Sequence, residues 1–154
     1  MHFLNSLFHS HALKVSVVNN WVLDGEGIPS LKAWIRAEML VRLDVLIINH
    51  RKEFESDWCH LSGKTALRHL VFIRTGWTLE QIDKLSFPDM LFVLQQDLKA
   101  VNIRQEIFEL PDAVRNSRSA AIYLQDQYRI ELPPCSEQEW DHTLAEKAQG
   151  LRTH

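Results

Sequence analysis

Residues 62–98, SGKTALRHLVFIRTGWTLEQIDKLSFPDMLFVLQQDL, constrain the fold more than any other part of the chain, because helix starts and stops can be read there from side-chain chemistry. A helix that begins at Ser62 or Gly63 runs to Thr75, and Gly76 then supplies the residue that most easily takes the left-handed conformation past a helix end. Leu67, Leu70, Val71 and Arg74 mark one face of it, while Ala66, Phe72 and Ile73 carry apolar groups round the sides, the pattern of a buried helix. Thr78 and Gln81 have capping-box spacing, with Trp77 and Ile82 placed as a hydrophobic staple. The same grammar recurs at Ser86 and Asp89, with Leu85 and Met90 as staple and Pro88 tolerated in the first turn. Two sharp reversals are therefore expected, at Gly76 and Trp77 and around Ser86.

Around this stretch the chain reads as helical. In residues 4–23, Leu4, Phe8, His11, Val15, Val18 and Val22 follow helical spacing, with a hairpin about Asn19 and Asn20 as the alternative suggested by the β-branched run 15–18. From Ser30 a helix of about twenty residues, some 30 Å long at 1.5 Å per residue, presents Leu31, Ile35, Met39, Leu43, Leu46, Ile47 and His50 on one face. Trp34, Leu40, Val45 and Ile48 fall off that face and call for a second partner on its flank. A helix from 86 to 101, a short one from 102 to 110, one from 112 to 128 and a capped one from Ser136 to Gly150 complete the series. The expected fold is all-α: one domain over residues 1–154, an orthogonal or antiparallel bundle of six or seven helices, with 133–154 a peripheral C-terminal helix and tail.

Composition agrees. The 154 residues are 45% hydrophobic and 24% charged, as in ordinary folded domains, and five glycines with five prolines are too few for the frequent turns of an all-β protein. The net charge of −3 argues against a general polyanion binder. The N-terminus lacks a basic segment and a cleavage site, and no uncharged run approaches the ~20 residues that span a bilayer, so the expectation is a cytoplasmic protein without membrane association.

Chemical motifs are few. Eight histidines invite a metal site, but neither paired Cys-x-x-Cys nor His-x-Glu-x-x-His occurs. Cys59 and His60 are adjacent and so point apart, and Ser62-Gly63-Lys64-Thr65 lacks the earlier glycine and preceding strand of a phosphate-binding loop. No enzyme activity, cofactor or metal is expected. Between Gly63 and Leu79 there is no acid, while Lys64, Arg68, His69 and Arg74 are present, followed by a turn and a second helix. The run FIRTGWTLEQIDKL resembles a short segment of the mercury-resistance-type transcription regulators, and that resemblance implies a helix-turn-helix arrangement. The second helix carries Glu80 and Asp83 against Lys84 alone, a poor reading surface for base edges. The favoured reading is a small adaptor or regulatory module that binds another protein, or a second copy of itself, with a DNA-binding regulator as the alternative. The candidate interaction residues are Trp58, Lys64, Arg68, Arg74 and Trp140.

Overall fold

The computed structural model describes residues 2–23, 28–103 and 131–148, together with 108, 110 and 112. Among the described residues the protein is all-α: α1 (His2–Asn19), α2 (Ile28–Phe54), α3 (Gly63–Thr75), α4 (Leu79–Asp83), α5 (Phe87–Val93), α6 (Gln95–Ala100) and, after a 3-10 turn at Glu137–Glu139, α7 (Leu144–Ala148). They divide into two compact units, Met1–Val41 with Ile103–Asp141 and Arg42–Asn102 with His142–His154, so that α2 contributes to both. Of the helix expected over 102–110, residues 102, 103, 108 and 110 are described and are not helical, and of the one expected over 112–128 only 112 is described; the rest of both lies outside the described residues.

In the first unit α1 buries Leu4, Leu7, Phe8, His11, Ala12 and Val15, a stripe at helical spacing. The helical pattern of the sequence holds as far as Val15; Val18 and Val22 are exposed, and the β-branched run does not form a hairpin. The helix ends at Asn19, short of the 4–23 stretch over which the helical spacing runs. Asn20 takes the left-handed conformation (φ 56°), and the Trp21 amide donates to the Ser16 carbonyl at 3.0 Å, the six-to-one bond of a Schellman ending. Beyond it, Ser30 Oγ donates to the Val22 carbonyl and Trp34 Nε1 to the Leu23 carbonyl, which ties the chain after α1 to the first turns of α2.

The face of α2 that its spacing suggests is buried in part, with Leu31, Leu43, Ile47 and His50 covered. Trp34, Ala37, Leu40 and Val41 are fully covered, whereas Ile35, Met39 and Leu46 are only half-buried. The helix packs on more than one side, as the off-face Trp34 and Leu40 called for, and it carries two charged side chains, Arg36 and Asp44, inward. Arg36 is 3% exposed and reaches Glu139, 1% exposed, through a fork of Nη1 contacts at 2.7 and 2.8 Å. Asn19 at the end of α1 donates to the same carboxylate at 2.8 Å, as does the Ser136 amide at 2.6 Å, and Arg36 Nη2 also donates to the Pro133 carbonyl. One carboxylate thus joins α1, α2 and the C-terminal strap.

That strap corrects the expectation of a continuous outer helix. Ser136 and Glu139 do pair as their spacing suggests, but helix extends only to Glu139; Trp140 adopts extended backbone, and helix resumes at Leu144. The segment is not peripheral either, since Cys135, Glu139, Trp140, Ala145 and Glu146 are all buried. A polar surface pattern misleads here because Glu139 and Glu146 face inward onto cations.

In the second unit the sequence-read ends appear residue for residue. Gly76 closes α3 with φ 68° and donates to the Phe72 carbonyl at 2.9 Å. Thr78 and Gln81 form both halves of a capping box, at 3.2 and 3.0 Å, and Ser86 Oγ accepts from the Asp89 amide at 3.3 Å. The expected helix from 86 to 101 is instead two. At Leu94 (φ −94°, ψ 11°) the amide is shared between the carbonyls of Met90 and Leu91, and the helix is interrupted there although Phe87, Leu91, Leu94 and Leu98 all remain buried. Arg42 of α2 donates to the carbonyls of Leu98 and Val101 at the end of α6, where a cation is favoured.

The left-handed ending at Asn20 generates a stability prediction. Asn20→Gly should leave stability unchanged or slightly raised in urea unfolding, whereas Asn20→Val should lose about 1–2 kcal/mol, the usual cost of a branched side chain in that conformation.

Candidate functional site

Four of the five sequence-nominated residues lie in the second unit. On α3, Lys64 is exposed, Arg68 is half-buried and Arg74 is exposed. Arg68 and Arg74 are six residues apart, about 120° around a helix, and so do not share a face. Arg68 instead grips Asp83 of α4 through Nε and Nη2 at 2.7 and 3.0 Å, and Arg74 reaches Asp97 of α6 at 2.7 Å. The Arg68 hydrogen bonds hold the Asp83 carboxyl below its ordinary range, and Asp83 in turn raises the guanidinium. The expected basic stripe is therefore largely a set of internal ion pairs. Sequence reading found the cations but not the acids that answer them, because Asp83 and Asp97 are brought close only by the reversals at Gly76 and Ser86.

Trp140, nominated as a surface anchor, is 3% exposed and belongs to the core of the first unit. Trp58 is the opposite case. It is 89% exposed at the tip of a two-residue turn, where Ser56 and Cys59 exchange both backbone hydrogen bonds at 3.1 Å. The turn is braced from below: Glu55 accepts from the Leu61 amide and from Arg51, both at 3.1 Å, and these bonds hold its carboxyl below the ordinary value despite the opposing effect of burial. A large apolar ring is held out in water on a fixed support.

The phosphate-loop-like run Ser62-Gly63-Lys64-Thr65 has a different use. The Gly63 amide at the first turn of α3 donates to Glu146 Oε1 at 3.3 Å, and Arg51 reaches the same oxygen at 3.2 Å. The protein's own carboxylate occupies the positive end of this helix. Gly63 is required for space: a Cβ there would stand 2.6 Å from His142 Cβ and closer still to Nδ1 of that ring.

Sequence reading missed one cluster. His50, near the end of α2, and His69 of α3 meet Nε2 to Nδ1 at 2.7 Å. Phe54 stacks on His50 with ring centres 4.5 Å apart and lies edge-on to His69 at 5.3 Å, and Phe72 lies beyond His69 at 6.1 Å. Burial, the neighbouring His69 and the Arg74 charge lower the His50 pKa from 6.5 to about 4. Sequence offered one hint, His50 standing on the apolar face of the long helix.

Nucleophile and metal candidates find little support. Cys59 and Cys135 are free thiols, and burial pushes Cys135 up to about 12, which keeps it protonated and unreactive at neutral pH. No group of three or more metal-ligating side chains occurs among the described residues. Nor, among those residues, is any helix long and apolar enough to cross a membrane. No family model, curated protein or solved structure matches the chain.

The close approach at Gly63 is testable by unfolding. Gly63→Ala should cost about 1–3 kcal/mol, the range for overpacking a filled site. Adding His142→Ala should not restore stability, because the Cβ contact stays, whereas adding His142→Gly should relieve the clash.

Proposed function

We propose that this protein is a small adaptor or regulatory module that acts by binding another protein, with Trp58 as its principal anchor. The observation that carries the reading is the braced turn. A tryptophan in water forgoes the several kcal/mol that burial of its ring would yield, and burial against a partner recovers it. Because the Ser56–Cys59 bonds and the Glu55 brace already fix the turn, little ordering cost falls on the moment of binding. Tryptophan is also the residue type most often found to dominate an interface.

The DNA-binding alternative has weaker support. Arg68 and Arg74 are engaged with acids, and α4 is a single short turn of helix whose first turn carries Glu80. A duplex would meet carboxylates beside most of the cations it needs. The reading includes a reducing compartment, the cytoplasm, where free thiols such as Cys59 and Cys135 persist, and it requires neither cofactor nor catalytic step. The partner is a second protein or another copy of this chain.

Trp58→Ala should leave the melting temperature within about a degree, since the ring has few intramolecular neighbours, but weaken partner binding by roughly tenfold or more. Sedimentation over a range of concentrations separates self-association from a foreign partner. A labelled duplex should not shift at low salt. A salt-sensitive shift, weakened by Arg68→Ala and Arg74→Ala, would replace this reading with the DNA-binding one.

A further inference from the structure

We propose that the His50–His69 contact is a proton-operated latch between α2 and α3, closed while one proton lies between the two rings and opened by a second. The geometry sets the condition. At 2.7 Å between Nε2 and Nδ1, one nitrogen must donate and the other must offer its lone pair. When both rings are imidazolium neither has a lone pair at the contact, and two N–H groups and two positive charges face one another. Arg74 of α3 adds a third positive charge that acts on His50. Its own partner, Asp97 of α6, lies 2.7 Å from the guanidinium and offsets it in part. The rings of Phe54 and Phe72, which contact the pair, do not compensate charge as a carboxylate would.

Opening has a structural consequence. Phe54 contacts both imidazoles and Phe72 follows His69, so separation of the rings uncovers aromatic surface that the latch holds together at neutral pH. Phe72 is already 37% exposed, and it lies on the same helix whose end leads to Trp77. The latch thus regulates how much apolar surface this edge of the second unit presents.

The sign follows from linkage. The closed form resists the second proton down to about pH 4, whereas an open histidine takes it near 6.5, so acid favours the open form. Between those limits the open population should grow by up to about tenfold per pH unit. It remains minor at neutral pH.

The test is amide hydrogen exchange on the full chain, corrected for intrinsic rates, with imidazole nitrogen shifts recorded over the same pH range. In the wild type, protection of α3 amides should fall roughly tenfold per pH unit below about pH 6.5. In His69→Gln, which keeps a hydrogen-bonding group but cannot take the second proton, protection should change by less than about threefold over that range. Equal acid sensitivity in both proteins would overturn the latch. The nitrogen shifts need no variant: they should show one lone pair and one N–H at the contact near neutral pH, with His50 taking its proton only well below its ordinary value. A His50 titration near the ordinary value would overturn it even if the variant failed to fold.

Discussion

The buried Arg36–Glu139 pair is the interaction on which the first unit depends. Two ions removed from water carry a desolvation cost of several kcal/mol each, which mutual attraction offsets only when the remaining hydrogen-bonding capacity is filled. The carboxylate's side is filled here, since Glu139 accepts from Arg36, Asn19 and Ser136, and Arg36 also donates to the Pro133 carbonyl. The result is positional. Asn19 can reach the carboxylate only if α1 ends where Asn20 turns left-handed, and Ser136 only if the strap folds into its 3-10 turn. Trp140 and Cys135, on either side of that turn, are buried as a consequence.

The second unit repeats the device with a different carboxylate. Glu146 accepts from Arg51 of α2 and from the first amide of α3, so a side chain near the C-terminal end caps a helix that begins more than eighty residues earlier. Gly63 makes room for His142 beside it. In both units a C-terminal glutamate, looking like ordinary surface in the sequence, is the point at which distant helices are joined.

This explains which parts were legible in the sequence. The end of α3, the Thr78–Gln81 box and the Ser86 cap depend on residues three or four apart, and each was read correctly from the chain alone. The break at Leu94 carries no glycine or proline, and the apolar spacing runs through it unchanged, so nothing local announced it. The inward face of α2 is legible only in part, at Leu31, Leu43, Ile47 and His50, because packing on several sides weakens the one-sided periodicity that such reading relies on. Of the candidate surface, Trp58 was found, while Trp140, the acids opposite Arg68 and Arg74, and the His50–His69 pair depended on contacts made across the fold.

The functional reading rests on the same division. Where charges meet, this protein has largely answered them internally, and where it leaves a large side chain unanswered, at Trp58, it holds that side chain on a rigid turn. Everything in the first unit presupposes that its internal ion pair acts as one coupled element. A double-mutant cycle by urea unfolding with Arg36→Met, Glu139→Leu and the pair together tests this most directly. Each single change should cost about 3–5 kcal/mol by leaving a buried partner uncompensated, and the double change should cost at least about 2 kcal/mol less than their sum. Additivity within about 0.5 kcal/mol would contradict the account.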